Sequence, residues 1–274
     1  MDVSGKTKIV GIFGNPIEHT LSPLMHNSAF KMLGLDMCYI PFRVLPGDLQ
    51  YAVKAVPALN LIGVNITVPH KENVIPLLDE IDGEAVFIGA VNTVVNSNGK
   101  LKGYNTDGRG FMNSLSEQGI LTEGKDILII GAGGASRAIS YYLSEKASRL
   151  FLYDVDTRKA GKLAGDLQKI RNNVYLAEKI NANNKAHIII NATPLGLKQD
   201  DPLPVNPDLI TSGMTVCDLV YKKTMLLQEA ANKGAGTLDG SGMLLWQGVL
   251  AFELWTGIKP PVDIMRKALL SRIR

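Results

Sequence analysis

The chain has 274 residues, a formal net charge of +3, 46% hydrophobic residues and 20% charged residues. So small a charge on this length gives no electrostatic footing for nucleic acid or an anionic membrane surface, and the apolar content is that of a globular protein with a sizeable core. No apolar run approaches a membrane span, and at roughly 100–200 residues per domain two domains are expected.

The start, Met1-Asp2-Val3-Ser4-Gly5, lacks the basic and apolar regions of a signal peptide. Cys38 and Cys217 sit in apolar, strand-like runs and are expected as buried thiols, not as a disulfide or metal site. The expectation is a soluble cytoplasmic protein without a metal and without a nucleic-acid or membrane partner.

In chain order, Lys8 to Phe13 reads as a first strand, ended by Gly14-Asn15-Pro16. Ser22 before Pro23 predicts a helix N-cap followed by proline at the first helical position. That helix continues to about Gly34. Met37 to Val44 is a second strand, and Pro46-Gly47-Asp48 opens a helix ending before Asn60. Ile62 to Val68 is a third strand, ended by Pro69, and Lys71 is expected to begin a helix through Leu78. Strand and helix alternate here, the signature of an α/β layer with a largely parallel sheet. Ala90 to Asn96 and Lys100 to Tyr104 flank Asn98-Gly99 and predict a hairpin. Thr106-Asp107 then caps a helix from about Gly110 to Gln118.

Lys125 to Ala138 is the stretch around which the rest is organised. Ile127 to Ile130 is a short β-branched run, as in a strand buried on both faces. Gly131, Ala132, Gly133, Gly134 and Ala135 follow, and then a helical pattern through Ala138, Ile139, Tyr142 and Leu143. Strand, glycine turn and helix N-terminus make an anion site, because unpaired N–H groups and the positive end of the helix dipole point at the turn. The third glycine of the usual fingerprint is Ser136. A second strand, Arg149 to Tyr153, ends in Asp154, 23 positions after Gly131. That is where a ribose diol is held in dinucleotide-binding domains. A helix from Arg158 to Ile170 and strands His187 to Asn191 and Met214 to Leu219 follow. Thr193 lies just past the first of these strands, at the carboxyl edge where ligands of open α/β sheets bind. Met243 to Trp255 is an apolar helix, broken by Pro260-Pro261 before a last helix, Val262 to Ile273. The apolar helix reads as core, with a dimer seam as the alternative; monomer and homodimer both remain open.

Polar residues cluster at strand ends of the first region: Thr20 and Ser22; Asn65, Thr67 and Lys71; and Asn92 with Asn105, Thr106 and Asp107. Singly, most read as caps or solvated side chains. Together they suit a small, polyhydroxylated, anionic ligand.

Asn65-Ile-Thr-Val-Pro-His-Lys71, Gly89-Ala-Val-Asn92-Thr, Gly103-Tyr-Asn-Thr-Asp107-Gly and the glycine loop closely resemble the shikimate dehydrogenase family, including the quinate/shikimate dehydrogenases. The resemblance runs from Gly11 to about Trp255. It implies two α/β domains with substrate in the cleft between them: residues 1–105 plus 240–274 as the substrate-binding domain, closed by C-terminal helices, and 106–239 as a Rossmann-like dinucleotide-binding domain. It implies Lys71 and Asp107 as the catalytic pair. Thr20 and Ser22 match the pair of hydroxyls that holds the substrate carboxylate. Asn65, Thr67 and Asn92 match hydroxyl and carboxylate contacts, Gln247 a further substrate contact, and Tyr221 a tyrosine near the carboxylate. Leu219 and Gly240 match positions lining the nicotinamide. The implied reaction is reversible NAD(P)-dependent reduction of 3-dehydroshikimate to shikimate, in aromatic amino acid biosynthesis. As donor to a ketone undergoing reduction, a lysine is already in the required protonated form; an electrostatic clamp on the developing alkoxide is the alternative role.

Two departures carry expectations. NADP-using members have Asn-Arg-Thr after the second strand, where this chain has Asp154-Val155-Asp156-Thr157-Arg158. Valine replaces the phosphate-binding arginine and Asp154 repels a 2′-phosphate, so NAD is expected to be preferred over NADP, tempered by nearby Arg158 and Lys159. The loop after Tyr221, Lys222-Lys223-Thr224, is shorter than usual, which loosens the placement of Tyr221. Rival readings are an NAD-dependent quinate/shikimate dehydrogenase, a methylene-tetrahydrofolate dehydrogenase, against which Thr20, Ser22 and Asp107 argue, and a catalytically silent dinucleotide-binding regulator.

Overall fold

The computed structural model describes residues 3–181 and 186–273. The chain divides into two compact units, Met1–Gly110 with Leu245–Arg274, and Phe111–Leu244. The chain crosses between them within two helices, α4 (Asp107–Glu117) and α8 (Ser241–Thr256).

The first unit carries a six-stranded sheet. Its strands are β1 (Lys8–Gly14), β2 (Met37–Arg43), β3 (Gly63–Ile66), β4 (Glu80–Ile81), β5 (Thr93–Ser97) and β6 (Lys100–Tyr104), in the order β2-β1-β3-β5-β6-β4. β1 runs parallel to β2 and β3. The sheet is largely parallel, as expected, but mixed: β5 alone runs against the other five strands, antiparallel to both β3 and β6. The cause is local: Asn98 and Gly99 take φ of 54° and 91°, the left-handed pair a two-residue hairpin needs. Phe13, Val53, Val64, Ile66, Val91, Val94 and Leu101 belong to one buried cluster of this unit. Helix α1 (Ser22–Met32) packs on the last helix, α9 (Val262–Leu270).

The second unit carries β7 (Asp126–Ile130), β8 (Arg149–Tyr153), β9 (Val174–Leu176), β10 (Ile188–Asn191), β11 (Thr215–Asp218) and β12 (Gly236–Leu238). All pairings are parallel, in the order β12-β11-β10-β7-β8-β9. This is the doubly wound dinucleotide-binding order, reversing between β7 and β10. β7 is buried at every position, which is why it reads as an unbroken apolar run and not as alternation. Leu128, Ile130, Ile189, Val216, Leu226 and Leu227 lie in this unit's own core cluster.

Several local expectations are corrected. Ser22 is not an N-cap: α1 is preceded by Leu21 and has no side-chain cap. No helix runs from Lys71 to Leu78; a short 3-10 turn, Ile75–Leu77, stands there. Pro76 explains this, since inside a helix it lacks the N–H and clashes with the preceding turn. Beyond it lies α3 (Gly83–Ile88), with the Asp82 side chain accepting from Glu84 N and Gly89 left-handed at φ 71°, a signature the sequence reading passed over. β9, β12 and α7 (Met225–Asn232) also lie outside the expected elements. α4 begins at Asp107 and not near Gly110. Cys217 is buried and its thiol is pushed up to about 12 by burial, whereas Cys38 is only half-buried. Among the described residues, no helix is long and apolar enough to cross a membrane.

Candidate active site

In the first unit, strand ends bring chemistry-bearing residues into one hydrogen-bonded network. Lys71 follows β3 through a turn, its carbonyl accepting from Val91 N at 2.8 Å. Its Nζ donates to Asp107 Oδ2 at 2.6 Å, with side-chain exposures of 22% and 8%. An ammonium has three donors, so two remain beyond this ion pair for a ligand. Asp107 opens α4, and its N–H donates to Asn105 Oδ1 at 3.0 Å.

Asn92 fixes the other carboxylate oxygen. Its Nδ2 donates to Asp107 Oδ1 at 2.8 Å and to Thr106 Oγ1 at 2.9 Å. Its Oδ1 accepts from Thr106 N at 2.8 Å and from Thr93 Oγ1 at 3.1 Å. Asn65 is bound in the same way: Nδ2 donates to Asn92 O and to Thr93 Oγ1, both at 3.0 Å, and Oδ1 accepts from the Tyr39 hydroxyl at 2.8 Å. Both amide protons of each asparagine are therefore spent within the protein. Toward a ligand, what remains to Asn65 is acceptor capacity at its carbonyl oxygen, while Asn92 holds Asp107 and, through it, Lys71.

Thr67 sits half-buried where β1 ends, so close that a Cβ on Gly14 would lie 2.4 Å from its methyl. Thr20 Oγ1 accepts from Ser22 N at 3.4 Å, and Ser22 itself is buried. Gln247 on α8 lies against α4, where a Cβ on Gly110 would come within 2.7 Å of its backbone nitrogen. Tyr39 and Thr93 are the members that sequence reading missed. Each sits in an apolar strand, where it reads as core; the pairing of β3 with β5 sets Thr93 beside Asn65, and Tyr39 reaches Asn65 from β2, across β1.

In the second unit, the glycine turn follows β7 at the point where strand order reverses. Gly131 has φ +107°, and a Cβ there would meet Ala192 O at 2.8 Å, so the fold itself demands glycine. Gly133 differs: its φ is −79° and a Cβ would meet nothing within 4 Å. It precedes α5 (Gly134–Lys146), whose first turn has neither a side-chain cap nor an acidic residue. Open N–H donors, the dipole and a bare backbone together form a cradle that fits a pyrophosphate. Ala132 and Ala135 line the same turn.

Asp154 ends β8. Its Oδ2 accepts from Ala132 N at 2.7 Å and its Oδ1 from Asp156 N at 2.8 Å, and each oxygen keeps a lone pair for a hydroxyl. Val155 beside it is 89% exposed. Arg158 pairs with Asp156 Oδ1 at 3.3 Å. Beyond β10, Thr193 Oγ1 donates to Asn191 Oδ1 at 2.6 Å. Asn191 Nδ2 donates to Asp218 Oδ1 at 3.0 Å, and Thr224 Oγ1 donates to Asp218 Oδ2 at 2.7 Å. Burial raises the Asp218 carboxyl above its ordinary range. This buried carboxylate ties together the loops that carry Thr193, Leu219 and Tyr221. Gly240 is required by backbone packing, since a Cβ would lie 2.1 Å from Leu219 O.

Residues 12–94 match the family described as shikimate dehydrogenase substrate binding domain, and residues 240–270 that described as shikimate 5'-dehydrogenase C-terminal domain. The chain is 44% identical to shikimate dehydrogenase (NADP(+)) of Desulforamulus reducens, over 99% of this chain and 97% of that protein. It is similar to the crystal structure of a shikimate dehydrogenase in complex with NADP+, with a TM-score of 0.95 and 38% identity over 100% of this chain and 98% of that one. It is likewise similar to shikimate 5-dehydrogenase from Listeria monocytogenes in complex with shikimate and NAD, with a TM-score of 0.90 and 36% identity over 97% of this chain and 98% of that one.

Proposed function

The chain belongs to the shikimate dehydrogenase family, and from that membership we propose that Lys71 and Asp107 are the catalytic pair of a reversible, NAD(P)-dependent reduction of 3-dehydroshikimate to shikimate. The enzyme is an oxidoreductase acting on a CH–OH group, in aromatic amino acid biosynthesis. The observation that carries the residue assignment is the 2.6 Å Lys71–Asp107 contact, held from behind by Asn92.

Gly131 to Ala135 would cradle the pyrophosphate of a dinucleotide and Asp154 its ribose, and the cofactor held there would supply hydride exchange with the carbinol carbon. Lys71 donates a proton to the carbonyl oxygen as it becomes an alcohol, and takes it back in the oxidative direction. Asp107 keeps the ammonium in place and balances its charge. Thr20 and Ser22 present hydroxyls to the substrate carboxylate, Thr67 and Gln247 add polar contacts, and Tyr221 lies toward the carboxylate. Thr193, Leu219 and Gly240 line the nicotinamide end.

NAD is the preferred cofactor. Val155 offers a 2′-phosphate no hydrogen bond, Asp154 and Asp156 repel it, and Arg158 is engaged by Asp156. The relative from Desulforamulus reducens is named for NADP(+), and this preference is argued from the side chains after β8 alone.

The test is initial-rate kinetics on shikimate and quinate, each with NAD+ and NADP+. Turnover of shikimate with NAD+ favoured is the expected result. Comparable efficiency on quinate would move the chain to the dual-substrate reading, and a clear NADP+ preference would overturn the role given to Asp154. Lys71→Ala should lower kcat by roughly 10²–10⁴-fold, the scale of a positioned acid/base. Lys71→Met, which keeps the bulk and removes the charge, should be no better; turnover surviving in either with little loss refutes the assignment.

A further inference from the structure

Tyr39 is almost fully buried in β2, yet its polar end reaches the network described above. The hydroxyl donates to Asn65 Oδ1 at 2.8 Å. Asn65 has two N–H donors and one carbonyl oxygen with two lone pairs. The donors are spent on Asn92 O and Thr93 Oγ1, and the phenol takes one lone pair. What remains to Asn65 is one acceptor site. The amide is oriented by Asn92 O, which can only accept and so requires the N–H side of Asn65; the phenolic proton then meets the oxygen so placed.

The tyrosine is itself held at both ends. The Asn27 side chain clamps its backbone, Nδ2 donating to Tyr39 O at 3.0 Å and Oδ1 accepting from Tyr39 N at 2.8 Å. The ring stacks on His26 with centroids 4.5 Å apart and an interplanar angle of 4°, and lies 6.0 Å from the Trp255 ring. A phenol so restrained loses little further freedom in making its bond, which makes its position a reliable reference for the groups it touches.

We propose that Tyr39 is a positioning residue of the substrate site: its hydroxyl anchors the Asn65 carbonyl oxygen, which accepts from a substrate hydroxyl with its remaining lone pair. This rests on the reading of Asn65 as a substrate-site residue. Tyr39 touches neither hydride nor proton transfer, so its effect falls on substrate binding and not on the chemical step.

Tyr39→Phe removes one oxygen and keeps the ring contacts. Its KM for shikimate should rise about 10-fold, with kcat within about 2-fold of wild type and an unchanged KM for the dinucleotide, the scale of one lost hydrogen bond. A merely structural tyrosine would lower the melting temperature and the fraction of active enzyme while leaving KM for shikimate where it was; that outcome overturns the proposal. Wild-type turnover of shikimate is the control: its absence overturns the proposed function, whereas wild-type turnover with an unaltered KM in Y39F removes Tyr39 alone. Should Y39F not fold, the ultraviolet tyrosine difference spectrum on adding shikimate, recorded in a Tyr221→Phe background, replaces it. A perturbed buried-tyrosine band supports the proposal, and a flat spectrum with shikimate bound overturns it.

Discussion

Lys71 and Asp107 stood out not singly but through the motifs that carry them, and Asp154 through its distance from the glycine turn. Asn65 and Asn92 stood out in the same motifs, and the structure adds how their amide protons are used. Their amide protons are spent on Asn92 O, Thr93, Thr106 and Asp107, so they shape the site from within. The 2′-position of the ribose yields a test at this scale. Val155 is exposed and unencumbered, so Val155→Arg adds a guanidinium without disturbing packing. It should raise the NADP+ to NAD+ ratio of kcat/KM by about 10–100-fold, the scale of one or two charge-assisted hydrogen bonds to phosphate. An unchanged ratio would mean that the ribose edge does not lie at Val155.

At the scale of elements, the glycine turn separates what the fold needs from what a ligand needs. Gly131 is left-handed and crowded by Ala192 O, whereas Gly133 has an ordinary φ and open space where a Cβ would go. Gly131→Ala should destabilise the protein by about 1–3 kcal/mol, seen as a lower melting temperature. Gly133→Ala should leave the melting temperature nearly unchanged while raising the dinucleotide KM by about 10-fold, since its methyl blocks close approach of a pyrophosphate. Equal thermal losses in the two variants would refute this division. The same scale exposes the failure at Lys71 to Leu78. The helical pattern was present, but Pro76 overrides it, and the turn that results lets Lys71 meet Asp107 on a separate element.

At the scale of the whole molecule, each unit has its own apolar core, and one buried base sets a pH response. His26 on α1 stacks among Tyr39, Phe30, Phe252 and Trp255, and neither ring nitrogen has a hydrogen-bond partner. Burial lowers its pKa from 6.5 to about 3. Between those values the unfolded chain binds a proton that the native chain refuses, so stability rises with pH there and is lost as pH falls below 6.5. The slope from this one group is up to ~1.4 kcal/mol per pH unit. Asp218, raised by burial, acts with the opposite sign from its ordinary value of 3.8 upward, so a variant isolates the histidine. His26→Met is close in volume and sacrifices no hydrogen bond. Chemical denaturation at pH 7 and pH 4.5 should show a smaller acid loss in H26M than in the wild type; parallel losses would exclude His26 as the source.

The sequence alone determined the alternation of strands and helices, the glycine turn with its distant acid, and the short motifs that carry Lys71 and Asp107. These follow from local rules: buried parallel strands are continuous apolar runs, glycine marks backbone that must be bare or left-handed, and motif spacing is a property of neighbouring residues. Tertiary structure alone decided which polar groups face one another. β3 and β5 lie far apart in the chain, and only their antiparallel register sets Asn65 beside Thr93. A hydroxyl in a strand looks the same in sequence whether it is satisfied by solvent or by a buried amide, because hydrogen-bond partners are chosen by strand pairing and not by the residue itself. That is why Tyr39 and Thr93 read as core and proved to be part of the site's frame.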